Sequence, residues 1–285
     1  MGRTAHEGLL LVDKPAGMTS HDVVDRARHA LRERRVGHAG TLDPFATGLL
    51  VLLVGKATRL ISFIPGEPKV YEATIRFGSA TDTDDLTGAV VSEAPLPDRA
   101  AVERGMLALT GVIEQRPPAY SAKQVGGTRA YTAARRGAPL DLAPVRVRVD
   151  SWRLRAWRGE ECDVTIVCGG GTYVRALARD LGELSGSAAH LVALRRTASG
   201  PFSVSDAAAV AELSAEALRP ALDALPDLER RVLAEGAASR VAHGNPIPAE
   251  SASARVALLA PDGALLALAE RDADEWRPRV VFADA

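Results

Sequence analysis

Apolar positions along this chain fall either into short continuous runs or at helical spacing, and the alternation of the two predicts the order of elements. Residues 8–13 form an apolar run closed by Lys14, Pro15, Ala16 and Gly17, which reads as a strand entering a tight turn. Val23, Val24, Ala27 and Leu31 then recur at helical spacing with arginines opposite. Thr19 or Ser20 can cap this helix, and Asp22 suits its positive end. Gly37 and Gly40 bracket His38 in a loop, and the apolar run 48–54 reads as a fully buried strand stopped by Gly55. Pro65, Gly66 and Pro68 mark a turn ahead of a strand over 70–77, after which Asp82, Asp84, Asp85 and Gly88 signal another loop.

Residues 100–109 have a helical pattern, whereas 111–137 breaks up into prolines, glycines, basic and aromatic residues and reads as an irregular insertion. Strands are predicted over 145–155 and 163–167, then a glycine run, then a helix over 172–184. Strands and helices do not alternate strictly. That order predicts an α+β fold, with a mixed, largely antiparallel central sheet flanked by helices and loops. Near Leu225 and Pro226 the pattern changes, dividing the chain into residues 1–226 and a small β-rich domain over 227–285, where 255–260 and 265–269 flank the turn Pro261, Asp262, Gly263.

Composition adds exclusions. With 47% hydrophobic and 25% charged residues the chain is of the globular class. Its longest apolar run, 49–54, is too short to cross a bilayer, and the N-terminus lacks the basic-then-apolar order of a signal peptide, so a cytoplasmic, membrane-free protein is expected. Cys162 and Cys168 share one face of a predicted strand without metal-ligand spacing, which fits reduced packing residues. A net charge of −1 argues against indiscriminate nucleic-acid binding, although arginines cluster at 26–35, at 146–158 and at Arg195 and Arg196.

The densest chemical constellation is the stretch 37–48, where Gly37, Gly40, Gly48 and Pro44 fix an unusual backbone path around one carboxylate, Asp43. Pro44 biases Asp43 toward extended backbone at the mouth of the buried strand. By pattern alone this aspartate fits a turn cap as well as a reactive group. A different chemistry is open to Asp82, Asp84 and Asp85, whose carboxylates could gather magnesium for phosphodiester hydrolysis. Glycoside hydrolysis would ask for two facing carboxylates, and the Asp43 region supplies one.

The stretch resembles the signature of TruB-type tRNA pseudouridine synthases, Gly-His-x-Gly-x-Leu-Asp-Pro-x-Ala-x-Gly, at every fixed position. The likeness continues in family order through Asp13-Lys14-Pro15-x-Gly17-x-Thr19-Ser20, Lys69-Val70-Tyr71, Tyr120-Ser121-Ala122-Lys123 and Gly171-Thr172-Tyr173-Val174-Arg175. The resemblance implies that Asp43 attacks a flipped T-loop uridine, nucleotide 55 of tRNA, whose uracil is detached, rotated and rejoined through carbon. It implies that Arg175 pairs with Asp43, that Tyr71 stacks on the target base and takes part in proton transfer, that His38 fills the gap in the loop, and that Leu194 lines the base pocket. Lys14, Lys69, Lys123 and Tyr173 lie inside these motifs and are expected to contact the substrate.

The segment 111–137 resembles the insertion that clasps the T-arm in stand-alone members, with Arg129, Tyr131, Arg135 and Arg136 meeting phosphates and bases. The tail resembles a PUA-like module. Together these imply direct recognition of tRNA without guide RNA, by a monomer that uses no cofactor and no metal. A protein that binds and folds tRNA without catalysis is the alternative of a different class; it would have no need of Asp43.

Overall fold

The computed structural model describes residues 6–121, 123–125, 128–138 and 140–282. In chain order the first elements are β1 (Gly8–Lys14), α1 (Ser20–Leu31), β2 (Val36–His38), β3 (Thr47–Val54), a 3-10 helix (Gly55–Phe63), β4 (Lys69–Phe77), the hairpin β5 (Ser79–Thr81) and β6 (Val90–Glu93), and α2 (Arg99–Ala108). They are followed by β7 (Gly111–Gln115), β8 (Gln124–Val125), β9 (Thr128–Arg129), α3 (Ala130–Arg135), β10 (Val145–Trp157), β11 (Glu161–Cys168), α4 (Val174–Leu184), β12 (Ala189–Ser199), β13 (Phe202–Ser203) and β14 (Ala208–Ala209). The C-terminal part contributes β15 (Glu229–Val232), α5 (Glu235–Ala242), β16 (Ile247–Pro248), β17 (Arg255–Leu259), β18 (Leu265–Asp272) and β19 (Glu275–Val281). No helix among the described residues is long and apolar enough to cross a membrane.

The main sheet runs β14-β1-β3-β12-β4-β11-β10-β7, with β2 beside β3 and β13 beside β12. Only β1 with β14 and β3 with β12 pair in parallel, so the sheet is mixed and largely antiparallel, as the pattern predicts. Both faces of β1 and β3 are covered, which is why their sequences are continuously apolar rather than alternating. Leu10, Val12, Leu50, Leu52 and Val54 face Val23, Val24, Ala27 and Leu31 of α1. Leu9, Leu11, Leu49, Val51 and Leu53 face the opposite way, onto Ala57 and Leu60 of the 3-10 helix, onto Ala257, Leu259, Leu268 and Val280 of the C-terminal sheet, and onto Phe282 just beyond it. The second sheet, β15-β17-β18-β19-β16, therefore shares a core with the first.

Beyond β12 the sheet behaves differently. Tyr71, Ala73, Ile75 and Phe77 of β4 and Cys162, Val164, Ile166 and Cys168 of β11 alternate inward against Val102 and Met106 of α2 and Leu177, Ala178 and Leu181 of α4. The alternate residues carry ion pairs on the other face, Arg76 with Glu161, and Asp163 with Arg158 of the turn between β10 and β11. Burial pushes the Cys162 and Cys168 thiols up to about 12 and about 11, so both are unreactive packing residues.

Four expectations change. Residues 111–115 open the irregular segment as β7, the ordered edge strand beside β10. His38 lies on β2, paired with Leu52, rather than in a loop. The helix predicted from 172 starts at Val174. The fourth is the strand β12, which no pattern announced and which sits at the centre of the sheet.

Candidate active site

Strands β3 and β12 meet over two residue pairs, Arg195 with Thr47 and Arg196 with Gly48, and the loop carrying Asp43 enters β3 at this seam. Gly48 has φ of 101°. A Cβ there would lie 2.2 Å from the Arg196 carbonyl oxygen, so the glycine is required by the close approach of two backbones. The loop is pinned from several sides. Ser20 Oγ accepts from Leu42 N at 2.8 Å and donates to Leu42 O at 3.1 Å. Gly17 N donates to Pro44 O at 2.8 Å. The Thr19–Asp22 capping box fixes the start of α1, and hence Ser20.

Lys14 and Arg196 hold the loop from below. Lys14 is fully buried, and its Nζ donates to the carbonyls of Met18 (2.7 Å), Pro15 (3.0 Å) and Pro44 (3.3 Å). Burial lowers its pKa to about 8, against the raising influence of the Asp43 carboxylate. Arg196, 1% exposed, donates from Nε to Leu49 O (2.8 Å), from Nη2 to Gly40 O (3.1 Å) and from Nη1 to Thr41 O (3.3 Å). It therefore stitches the loop to β3 while adding a cation under it.

Asp43 meets Arg175 as a fork. Nε donates to Oδ2 at 2.9 Å and Nη2 to Oδ1 at 3.0 Å, the bidentate geometry that fixes a carboxylate in orientation as well as place. Arg175 in turn donates from Nη1 to Thr83 O and from Nη2 to Tyr120 O, both at 2.9 Å, and its Nε lies 3.7 Å from Asp85 Oδ2. The guanidinium is 5% exposed but the Asp43 side chain is 33% exposed, so the carboxylate is gripped from behind and open in front. Such an anion can be presented to a substrate without first having to be oriented.

The base-facing residues expected from the sequence gather in one apolar wall. Tyr71 and Leu194 lie with Leu42 and Ala46 in the same cluster, with Phe45 packed against it. Burial raises the Tyr71 hydroxyl pKa, with Arg196 opposing the shift. Lys69 opens β4 near Gly40, where burial and Arg196 together lower its pKa. Burial likewise lowers that of His38, whose Nδ1 is buried without a hydrogen-bond partner. Beside the wall runs an open cleft of about 620 Å³ lined by Ala16, Phe45, Thr47, Leu194 and Arg195.

Other expected residues lie apart. Tyr173 is the N-cap residue of α4 and its side chain caps nothing; instead its N–H and carbonyl are both held by Gln115, at 2.9 and 3.1 Å. Lys123 is exposed on the segment before β8. Ala122, Gly126, Gly127 and the side chains of Arg129 and Arg135 lie outside the described residues. The sequence reading missed Gln115 and Arg196, the latter legible only as half of a basic pair, and it offered Asp85 as a magnesium ligand rather than as a partner of Arg175.

The three loop aspartates do not converge. Asp82 Oδ1 accepts from Ala89 N, Asp84 faces Arg179, and Asp85 accepts from Thr83 Oγ1, Thr87 N and Thr87 Oγ1. Among the described residues no three His, Cys, Asp or Glu side chains are grouped to share a metal ion. Asp85 thus serves as a second anion on Arg175.

Residues 28–174 match the N-terminal domain of the TruB family of pseudouridylate synthases, 175–233 the C-terminal domain of tRNA pseudouridylate synthase B, and 228–283 the C-terminal part of tRNA pseudouridine synthase II. A Thermobifida fusca protein named tRNA pseudouridine synthase B is 48% identical over 97% of this chain and 99% of its own length. One of that name from an Arthrobacter strain is 44% identical over 97% and 96%. A solved Cbf5-Nop10-Gar1 complex contains a chain of the same fold, with a TM-score of 0.72 at 24% identity over 98% of this chain and 85% of that one. Since the matches run from residue 28 to residue 283 and take in both Asp43 and Arg175, the chain belongs to the TruB family of pseudouridylate synthases.

Proposed function

We propose that this enzyme converts the T-loop uridine at nucleotide 55 of tRNA to pseudouridine, with Asp43 as nucleophile. The observation that carries the reading is the Asp43 carboxylate, clamped in bidentate fashion by a buried arginine yet open to solvent on its other side. The tRNA substrate follows from the names of the relatives. A binding protein has no use for an anion held in this way.

The target nucleotide is flipped out of its loop, at a cost of about a few kcal/mol. The Tyr71 ring and the apolar Leu194 replace its lost stacking, and His38 occupies the space it leaves. Asp43 attacks the nucleoside, the bond from N1 to C1′ breaks, the uracil turns, C5 bonds to C1′, and the bond to Asp43 then breaks to return the free carboxylate. The C5 proton leaves to solvent and N1 gains one, so the change is an isomerisation that balances without a redox partner. Tyr71 serves this proton exchange, a role supported by its burial and its nearness to Arg196.

Substrate is held by charge and shape. Lys69 and, from below, Lys14 and Arg196 make the floor of the site positive, which favours the phosphates flanking a flipped nucleotide. The segment after β7 supplies the direct grip on the T-arm through Lys123, Arg129 and Arg136, and Tyr173 borders it on the α4 side. That segment reaches the chemistry itself, because the Tyr120 carbonyl accepts from Arg175. This direct grip makes guide RNA unnecessary, and one copy of the chain carries every group the reaction uses.

Transcripts carrying tritium at C5 of uridine test the reaction. The purified protein is expected to release one tritium per tRNA, and none once nucleotide 55 is cytidine. Release that persists after that replacement would refute the assignment of the target.

A further inference from the structure

One turn beyond Arg175 on α4 stands a second arginine whose contacts parallel the first. Positions four apart on a helix project side by side, so Arg175 and Arg179 reach the same neighbours. Arg175 takes Thr83 O and Tyr120 O. Arg179 takes the next residue of the first segment, with Nη1 3.2 Å from Asp84 Oδ2, and an earlier residue of the second, donating from Nη2 to Arg116 O at 2.8 Å. Its own guanidinium is braced by Asp180, at 2.9 Å to Nε and 2.8 Å to Nη2. The two arginines together clamp residues 83–85 and 116–120 onto one helix face.

Asp84 shows why the outer clamp matters. It adopts the left-handed backbone, φ 60°, which L-residues enter at a cost, and so needs tertiary contacts to stay there. Those contacts are the Arg179 pair, with side chains only 12% and 21% exposed, and the bond from Leu191 N to Asp84 O at 3.1 Å. Burial raises the Asp84 pKa to about 6, and Arg179 and Arg175 work against that rise. If residue 84 relaxes, Thr83 O and the Asp85 carboxylate on either side move off Arg175.

We infer that Arg179 and Asp84 form a positioning pair that keeps the Arg175 guanidinium aimed at Asp43 by locking both segments that share it. Neither residue touches the reacting atoms. The pair rests on the proposed reaction for its effect on rate, but its effect on the loop does not.

The test uses the full chain with Arg179→Ala and the near-isosteric Asp84→Asn, read in two ways. Hydrogen exchange at the amides of Asp84, Ala89 and Leu191 is expected to quicken by about tenfold in Arg179→Ala, with the β1 and β3 amides unchanged. Single-turnover pseudouridine formation is expected to fall by about tenfold in each variant, with tRNA Kd within about twofold, because misplacement taxes the chemical step rather than binding. The double variant should be no slower than the worse single one. Unchanged exchange, a rate within about twofold of wild type, or a loss that lies wholly in Kd would each overturn the inference. Should wild type itself make no pseudouridine, the proposed reaction fails, and the exchange measurement still decides whether the pair holds the loop.

Discussion

Asp43→Asn is expected to leave a folded protein that holds tRNA and makes no pseudouridine. The amide has the shape of the carboxylate but not its charge or its nucleophilic oxygen, so the loss should be on the order of 10⁴-fold or more. Affinity should stay within about threefold, because RNA is held chiefly through phosphate and sugar contacts made elsewhere. Stability should fall by no more than about 2 kcal/mol, the scale of one exchanged hydrogen-bonded partner. Arg175 keeps its bonds to Thr83 O and Tyr120 O, and Asp85 remains at 3.7 Å as a second anion. Single-turnover rates, tRNA titration and thermal melting measure the three quantities separately.

Arg175→Met should do damage of a different kind. It strands Asp85, 4% exposed, without its cation and leaves two carbonyls without a donor, while freeing Asp43 to rotate. Removing one member of a buried ion pair costs about 3–5 kcal/mol, which in a chain of this size is a fall in Tm of roughly 10 °C. Activity should fall by about 10³-fold through loss of aim, even at temperatures where the variant is folded. Arg175→Lys keeps the charge but cannot form the fork, and should lie between the two. Melting curves and rates measured at 20 °C separate the effects; a Met variant that turns over within about tenfold of wild type would show that the clamp is not needed.

What could be read from the sequence was what local pattern determines. The cap of α1 at Thr19, the strand β1 ahead of its turn, the fully buried strand β3 and the one-faced cysteines follow from spacing and end chemistry, and each stands where expected. Asp43 was marked by the glycines and proline around it, whose purpose at Gly48 is now visible in the seam with Arg196. Its contact with Arg175, 132 residues away, followed only from the resemblance.

The misses share a cause. Strand β12 is interrupted by His190, Arg195 and Arg196, and adjacent arginines read as a solvated surface. Yet Arg196 is buried because three backbone carbonyls satisfy it, and no pattern of side chains reveals carbonyls supplied by a distant loop. Strand β7 escaped notice because its neighbours are prolines and its pairing partner, β10, comes some thirty residues later. Gln115 looks like an ordinary polar residue until the fold brings Tyr173 against it, and the acidic loop gives no sign that Asp85 will meet Arg175. The acidic loop was misleading in the other direction: three carboxylates close in sequence turn to three different partners.

One clamped carboxylate acting on one uridine is the heart of the proposed reaction. Nucleotide-resolution mapping of pseudouridine in a tRNA transcript, treated in parallel with wild type and Asp43→Asn at equal bound fractions, tests it most directly. Complete conversion at nucleotide 55 is expected with wild type and none with the variant; conversion by the variant, or modification by wild type at a different nucleotide, would overturn the proposed reaction.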